Sequence, residues 1–188
     1  VLGWGTLGGI FTRVNDSKIY GLSNNHVIAD FNRGQVGDSI FHETHGQVGT
    51  LFNWFTLLES PAINYMDAAL VQISPQYLAQ WHQPRPIGGG WLEPRVGVQV
   101  VKNGFATHLT KGLITLVEGG GSVTFSGRKY HFSGIIEIEG LDGPFSKDGD
   151  SGSLVLSLPD YHMVGIIFAT LGLFSWALPI SRIRPLLG

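Results

Sequence analysis

Twenty-seven glycines are spread along the 188 residues of this chain, between short runs of apolar and β-branched side chains and not in a repeat. Glycine is unfavourable inside helices and supplies the left-handed backbone that tight turns need. A chain punctuated this often has room for short strands joined by turns and for few helices. Segments 6–13, 19–23, 39–41, 47–55, 68–73, 97–103, 112–117, 122–125, 129–132, 135–139, 153–157, 163–169 and 175–179 read as strands. Only 75–81 and 180–187 read as helical, and both are short. That pattern predicts an all-β fold, a barrel or a sandwich. Residues 84–95 carry Pro84, Pro86, the triplet Gly88–Gly90 and Pro94, which favour an extended connection. About half the strands lie on each side. The expected organisation is a β-barrel over 1–83, a crossing linker over 84–95 and a second β-barrel over 96–188.

Composition removes several classes of function. There is no cysteine, so neither a disulfide framework nor a thiolate metal site can form. Charged residues make up 14% of the chain, against about 25% in average domains. The net charge is −2 and no basic stripe is present to neutralise phosphates, which argues against a nucleic-acid partner. No apolar run approaches the roughly 18 residues that span a bilayer; the longest, from Met163 to Leu173, is interrupted by Gly165 and Gly172. The sequence opens on Val1 with no visible signal peptide, as a processed product or an excised domain would, and with no cysteine the compartment it suggests is a reducing one, the cytoplasm.

Three segments can carry chemistry. In Gly149-Asp150-Ser151-Gly152-Ser153, glycines on both sides of a serine permit a sharp turn that exposes its hydroxyl. The N–H groups of Gly149 and Ser151 could there converge on a developing oxyanion. The same run is also ordinary hairpin-turn chemistry. His26 closes a buried-looking strand in Leu22-Ser23-Asn24-Asn25-His26-Val27, where it is either a hydrogen-bonded structural residue or a general base. Asp67 heads the apolar strand Ala68-Ala69-Leu70-Val71, as a turn or cap residue or as a carboxylate that orients a histidine. His42-Glu43-Thr44-His45 is one residue short of the zincin spacing and reads as a solvated loop, so no metal is expected. Lys18, Arg33, Lys111, Arg128 and Lys129 read as solvated charges, and Trp54, Trp81, Trp91 and Trp176 as packing residues.

Taken together, the three residues occur in the order His, Asp, Ser, with two in the first half and one in the second. The chain resembles the trypsin-like serine proteases of the chymotrypsin fold, nearer the disulfide-free bacterial members. Gly5-Thr6-Leu7-Gly8-Gly9 is similar to that family's first barrel strand, and Asp67-Ala68-Ala69-Leu70 to its Asp-x-Ala-Leu motif. Lys102-Asn103-Gly104 resembles the opening of the second barrel, and 164–168 the strand after the nucleophile. The resemblance implies two six-stranded antiparallel barrels packed face to face, a site in the cleft between them and a short C-terminal helix. It implies a serine endopeptidase with Ser151 as nucleophile, His26 as general base, Asp67 as its orienting partner, and Gly149 and Ser151 N–H as oxyanion hole. The partner is then a polypeptide substrate, and no cofactor is called for. Phe145 aligns with the pocket floor, and Phe168, Ala169 and Thr170 with the wall that pairs with substrate, which points to small or apolar P1 residues. An esterase, or a catalytically silent binding module on the same fold, are the alternatives. Two departures bear on the site. Asn24 and Asn25 replace the small residues that usually precede the histidine, and Val1 is too near His26 in sequence to be expected to reach Asp150.

Overall fold

The structure, a computed structural model, describes residues 4–13, 16–79 and 90–187. The first half contributes β1 (Gly9–Thr12), β2 (Ile19–Ser23), β3 (Ser39–His42), β4 (Gly46–Trp54), β5 (Ile63–Asn64) and β6 (Ala69–Ile73). The second contributes β7 (Gln99–Gly104), β8 (His108–Phe125), β9 (Arg128–Gly140), β10 (Leu154–Ser157), β11 (Met163–Leu171) and β12 (Phe174–Pro179). The helices are single turns: α1 (Asn25–Ile28), α2 (Pro75–Leu78), and a 3-10 turn Ile180–Ile183 running into α3 (Arg184–Leu187). Ser74 caps α2 by accepting the Tyr77 N–H, with Pro75 in the first turn where its missing donor costs nothing.

The first sheet has the order β1-β2-β6-β4-β3, antiparallel throughout. In the second, β12-β11-β10-β7-β8-β9 closes on itself through β12 and β9. This is the expected double β-barrel. The second ring has the six strands expected of it; the first sheet has five among the described residues, because the short β5 leaves it. β5 pairs in parallel with β9, Ile63 opposite His131 and Asn64 opposite Phe132, so the two halves share a sheet edge. Residues 84–89 of the expected linker and Trp81 of the expected 75–81 helix lie outside the described residues. Leu92 donates to the Met163 carbonyl at 2.8 Å, so the end of the linker segment runs along β11.

Each barrel has its own core. Val27, Val48, Leu51 and Val71 fill the first, and Val100, Ile114, Ile136 and Val164 the second. A third cluster joins them, in which Tyr20, Leu22 and Leu70 meet Tyr130, Phe132, Phe168 and Leu178. Each such side chain, once buried, contributes about 1.5–3 kcal/mol from apolar area alone. The shared cluster therefore fixes the two barrels against each other, and the candidate site sits at that junction.

β8 and β9 form a long hairpin. Its two-residue turn is Ser126-Gly127, with φ of 48° and 78°, the left-handed pair that matches the twist of a hairpin. The segments read as 112–117 and 122–125 are one strand. The run Gly119-Gly120-Gly121 between them lies inside that strand, whose register against β9 shifts at several points from Ile114 to Gly120.

Candidate active site

Asp67 stands just ahead of β6 and is wholly buried. Its Oδ2 lies 2.5 Å from His26 Nδ1, and its Oδ1 accepts the His26 backbone N–H at 3.2 Å. A buried carboxylate needs such partners, and this one has both on a single residue. His26 is in α1, the one-turn helix after β2, and is 9% exposed. Asn24 explains the polar residues before it: its side-chain amide donates 2.7 Å to the Asp67 carbonyl oxygen and ties α1 to β6. Asn25 donates to Asn32 Oδ1 and to the Phe55 carbonyl, fixing the next loop. With Nδ1 bound to Asp67, the imidazole has Nε2 left for chemistry.

Ser151 lies in the loop before β10. Gly149 (φ 102°) and Gly152 (φ 95°) flank it in backbone conformations that other residues rarely adopt. One flank of the loop is held by β11, through Gly152 N–H to the Ile167 carbonyl (2.9 Å) and Ile167 N–H to the Ser153 carbonyl (3.0 Å). The other is held by Thr6, whose N–H donates to the Ser151 carbonyl (2.7 Å) and whose hydroxyl donates to the Gly149 carbonyl (2.9 Å). Ser23, at the end of β2, donates to the Thr6 carbonyl at 2.8 Å. A Cβ on Gly5 would stand 2.6 Å from the Val27 methyls and 2.9 Å from the Ser151 carbonyl oxygen. The 5–6 segment is thus wedged between the histidine's helix and the serine's loop. Among the described residues, the N–H groups of Gly149 and Ser151 have no acceptor, and the Ser151 hydroxyl makes no hydrogen bond to His26. Resting geometry of this kind often tightens only when substrate is bound.

Asp150 turns away from the cleft into a buried cage. It accepts from the N–H groups of Ala106 (2.8 Å), Thr107 (3.1 Å) and Lys147 (3.0 Å) and from the Thr107 hydroxyl (2.6 Å). Lys102 Nζ of β7 stands 3.3 Å away, and both side chains are fully buried. Burial pushes the Asp150 carboxyl up, but the bonds from Thr107 and Lys147, with the Lys102 charge, hold it below the ordinary aspartate value. Burial pulls the Lys102 ammonium down, and Asp150 opposes that. Lys102 also donates to the His108 carbonyl at 3.0 Å. The sequence offered one clue to this pair, a lysine in the apolar run Val100-Val101-Lys102.

The residues aligned with a specificity pocket divide. Phe145 is wholly buried in the second barrel's core beside Val100 and Ile114. The neighbouring Ser146 faces β11 and β12 instead, and its hydroxyl bonds to those of Thr170 (2.8 Å) and Ser175 (2.7 Å). Phe168 packs against Phe132 at 4.5 Å between centroids. Beyond Ile167, among the described residues, no strand pairs with the edge of β11 on the Ser151 side; Phe168 and Ala169 there are buried and Thr170 is half-buried. His42 and His45 lie in the exposed β3–β4 turn, their Nδ1 atoms 3.0 Å apart and bridged by Thr44. Among the described residues no three His, Asp or Glu side chains cluster as metal ligands would.

No known protein family and no curated protein matches the sequence. Solved structures do match. Thermobifida fusca protease A aligns over 100% of this chain and 94% of its own, with a TM-score of 0.63 and 17% identity. Nocardiopsis protease aligns over 100% and 96%, with a TM-score of 0.68 and 14% identity. Cellulomonas bogoriensis chymotrypsin aligns over 100% and 93%, with a TM-score of 0.59 and 19% identity. The chain has the chymotrypsin-type double β-barrel fold. At such identities the likeness establishes the fold, and function has to be argued from the site.

Proposed function

We propose that this protein is a serine endopeptidase acting through an acyl-enzyme, with Ser151, His26 and Asp67 as its triad. The observation that carries the reading is the buried His26–Asp67 pair at 2.5 Å, held on the same 5–6 segment that anchors the Ser151 loop. Ser151 Oγ attacks the scissile carbonyl carbon while its proton passes to His26 Nε2. The oxyanion is taken by the N–H groups of Gly149 and Ser151, donors worth about 2.7–4 kcal/mol each in such sites. Collapse breaks the C–N bond, and the leaving amine departs with the proton from His26. Water then attacks the acyl-ester carbon while His26 Nε2 takes its proton; collapse breaks the bond between that carbon and Ser151 Oγ, releases the acid product and returns the proton to Ser151 Oγ. Asp67 stays ionised and steadies the imidazolium. No step calls for a cofactor.

The test is a fluorophosphonate probe followed by peptide mapping. The adduct is expected on Ser151 in the parent protein and at no position in His26→Ala. Equal labelling of His26→Ala would overturn the triad, and no labelling of the parent would favour a silent binding module on this fold. Amide and ester substrates compared side by side would separate the peptidase from an esterase.

The reading extends to the acyl side of the substrate. Phe168–Thr170 receives it as an added strand, with P1 directed toward Ser146 and Thr170. Those two hydroxyls bond to each other at 2.8 Å and Ser146 bonds also to Ser175, so no charged group among the described residues stands there to meet a charged P1 side chain, which supports small or apolar residues. A peptide-library profile is expected to favour Ala, Ser or Val at P1; one dominated by Arg, Lys or Glu would refute the assignment.

A further inference from the structure

Phe125 occupies the tip of the β8–β9 hairpin, next to its two-residue turn. Residues 126–129 around that turn are exposed, yet Phe125 is half-buried. What covers it is the first barrel. Its ring lies on the His26 imidazole with centroids 4.7 Å apart and planes 17° from parallel. Phe31 flanks both rings, 5.9 Å from His26 and 5.8 Å from Phe125, and Tyr130 stands 5.9 Å from Phe125. The hairpin is fastened where it crosses. The Ser60 N–H donates to the Lys129 carbonyl at 2.8 Å, Arg128 meets Glu59 at 2.7 Å, and β5 pairs with β9 just behind. The exposed ion pair contributes little, and the backbone pairing and aromatic contacts carry the attachment.

The triad is divided between the barrels, with His26 and Asp67 on the first and Ser151 on the second. Asp67 sets the tilt of the imidazole relative to its own barrel only. Phe125 is a residue of the second barrel that touches the base itself. We propose that Phe125 is a positioning residue: stacked on His26, it fixes the imidazole plane relative to the barrel that carries Ser151. This rests on the peptidase reading above. A barrel-to-barrel shift of about 1 Å can cost on the order of 100-fold in rate, so a stop at this point has consequences for turnover.

The experiment uses methanesulfonyl fluoride, which is too small to occupy peptide subsites, together with kcat and KM for a peptide substrate. The variants are Phe125→Ala, Phe125→Leu and Phe125→Tyr. Sulfonylation of Ser151 and kcat are both expected to fall roughly 10–100-fold in the Ala and Leu variants, with KM changing less than about threefold. The Tyr variant keeps a flat ring and is expected to stay within about threefold of the parent in both. A rise in KM with unchanged sulfonylation would make Phe125 a substrate wall and overturn the proposal. So would a Leu variant as fast as the parent, which would reduce the residue to apolar bulk. If the parent is not sulfonylated at Ser151, the peptidase reading fails and this role with it. If the parent reacts and all three variants react equally fast, only the role of Phe125 falls.

Discussion

Ser151→Ala and His26→Ala are each expected to lower kcat for peptide hydrolysis by about 10⁶-fold, with the double variant scarcely slower than either. The near-equality follows from the geometry. The serine hydroxyl is a nucleophile only while a base takes its proton, and the imidazole has no other reaction to assist. Either deletion leaves the same remnant, which is the proposed oxyanion donors of Gly149 and Ser151 and the proposed substrate edge of β11. Asp67→Asn should be milder, nearer 10⁴-fold, because Ser151 and His26 remain and what is lost is the correct imidazole tautomer. It should also loosen the fold at this point, since Asp67 accepts two bonds from His26. Single-turnover hydrolysis of an activated ester, compared with steady-state peptide hydrolysis, measures these losses in acylation and turnover separately. Survival of either the Ser151→Ala or the His26→Ala activity at a tenth of the parent would overturn the assignment.

The sequence revealed most where local chemistry is unambiguous. The alternating, glycine-bounded strands of both barrels were legible because each is set by its own side-chain period and its own turns. β2 falls on 19–23 as read. The order His, Asp, Ser was legible because it is read along the chain without any contact, and of those three residues the structure pairs His26 with Asp67. The sequence hid what depends on contacts between distant strands. The two-residue β5 has no period to read, and it exists because β9 offers it an edge. The run Gly119-Gly120-Gly121 carries the residue signal of a turn, yet the pairing of β8 with β9 absorbs it as irregular strand. Phe125 reads as one more strand aromatic until the hairpin is laid across the first barrel. Phe145 aligned with a pocket floor, but in the loop between β9 and β10 its side chain enters the core while that of Ser146 bonds to Thr170 and Ser175. Lys102 entered only as part of a motif like the opening of the second barrel, and the fold supplies Asp150 as the reason a lysine follows Val100-Val101.

That buried pair gives the second large expectation. Lys102→Met should destabilise the protein by about 3–5 kcal/mol, because it leaves the Asp150 carboxylate buried without its counter-charge. Its effect on catalysis should exceed what the lost stability explains. Asp150 sits between Gly149 and Ser151, and its carboxylate gathers the N–H groups of Ala106, Thr107 and Lys147, so its orientation sets where the two N–H groups proposed as oxyanion donors point. If the loop turns, both donors are misplaced, and loss of even one costs about 10²–10³ in kcat in comparable sites. The double variant Lys102→Met/Asp150→Asn separates the two effects. It removes both charges and should recover most of the stability, but the Asn amide cannot accept every bond the carboxylate accepts, so turnover should stay low. The pH dependence has a definite sign. Asp150 is held below the ordinary aspartate value of about 3.9, so its stabilisation is complete above that value and is lost as pH falls through its lowered one. Lys102 is held below the ordinary lysine value by burial, so on the alkaline side the unfolded chain binds the proton more tightly and stability rises as pH climbs from the lowered lysine value toward the ordinary one. Because Lys102 already supplies the cation, Asp150 has no need of a chain-terminal amine. A version extended before Val1 should hydrolyse peptide as fast as the unextended chain. Urea denaturation of the single and double variants, run with their kcat values, measures the ion pair. An extended protein that is inert until trimmed would show that Lys102 does not do the work assigned to it here.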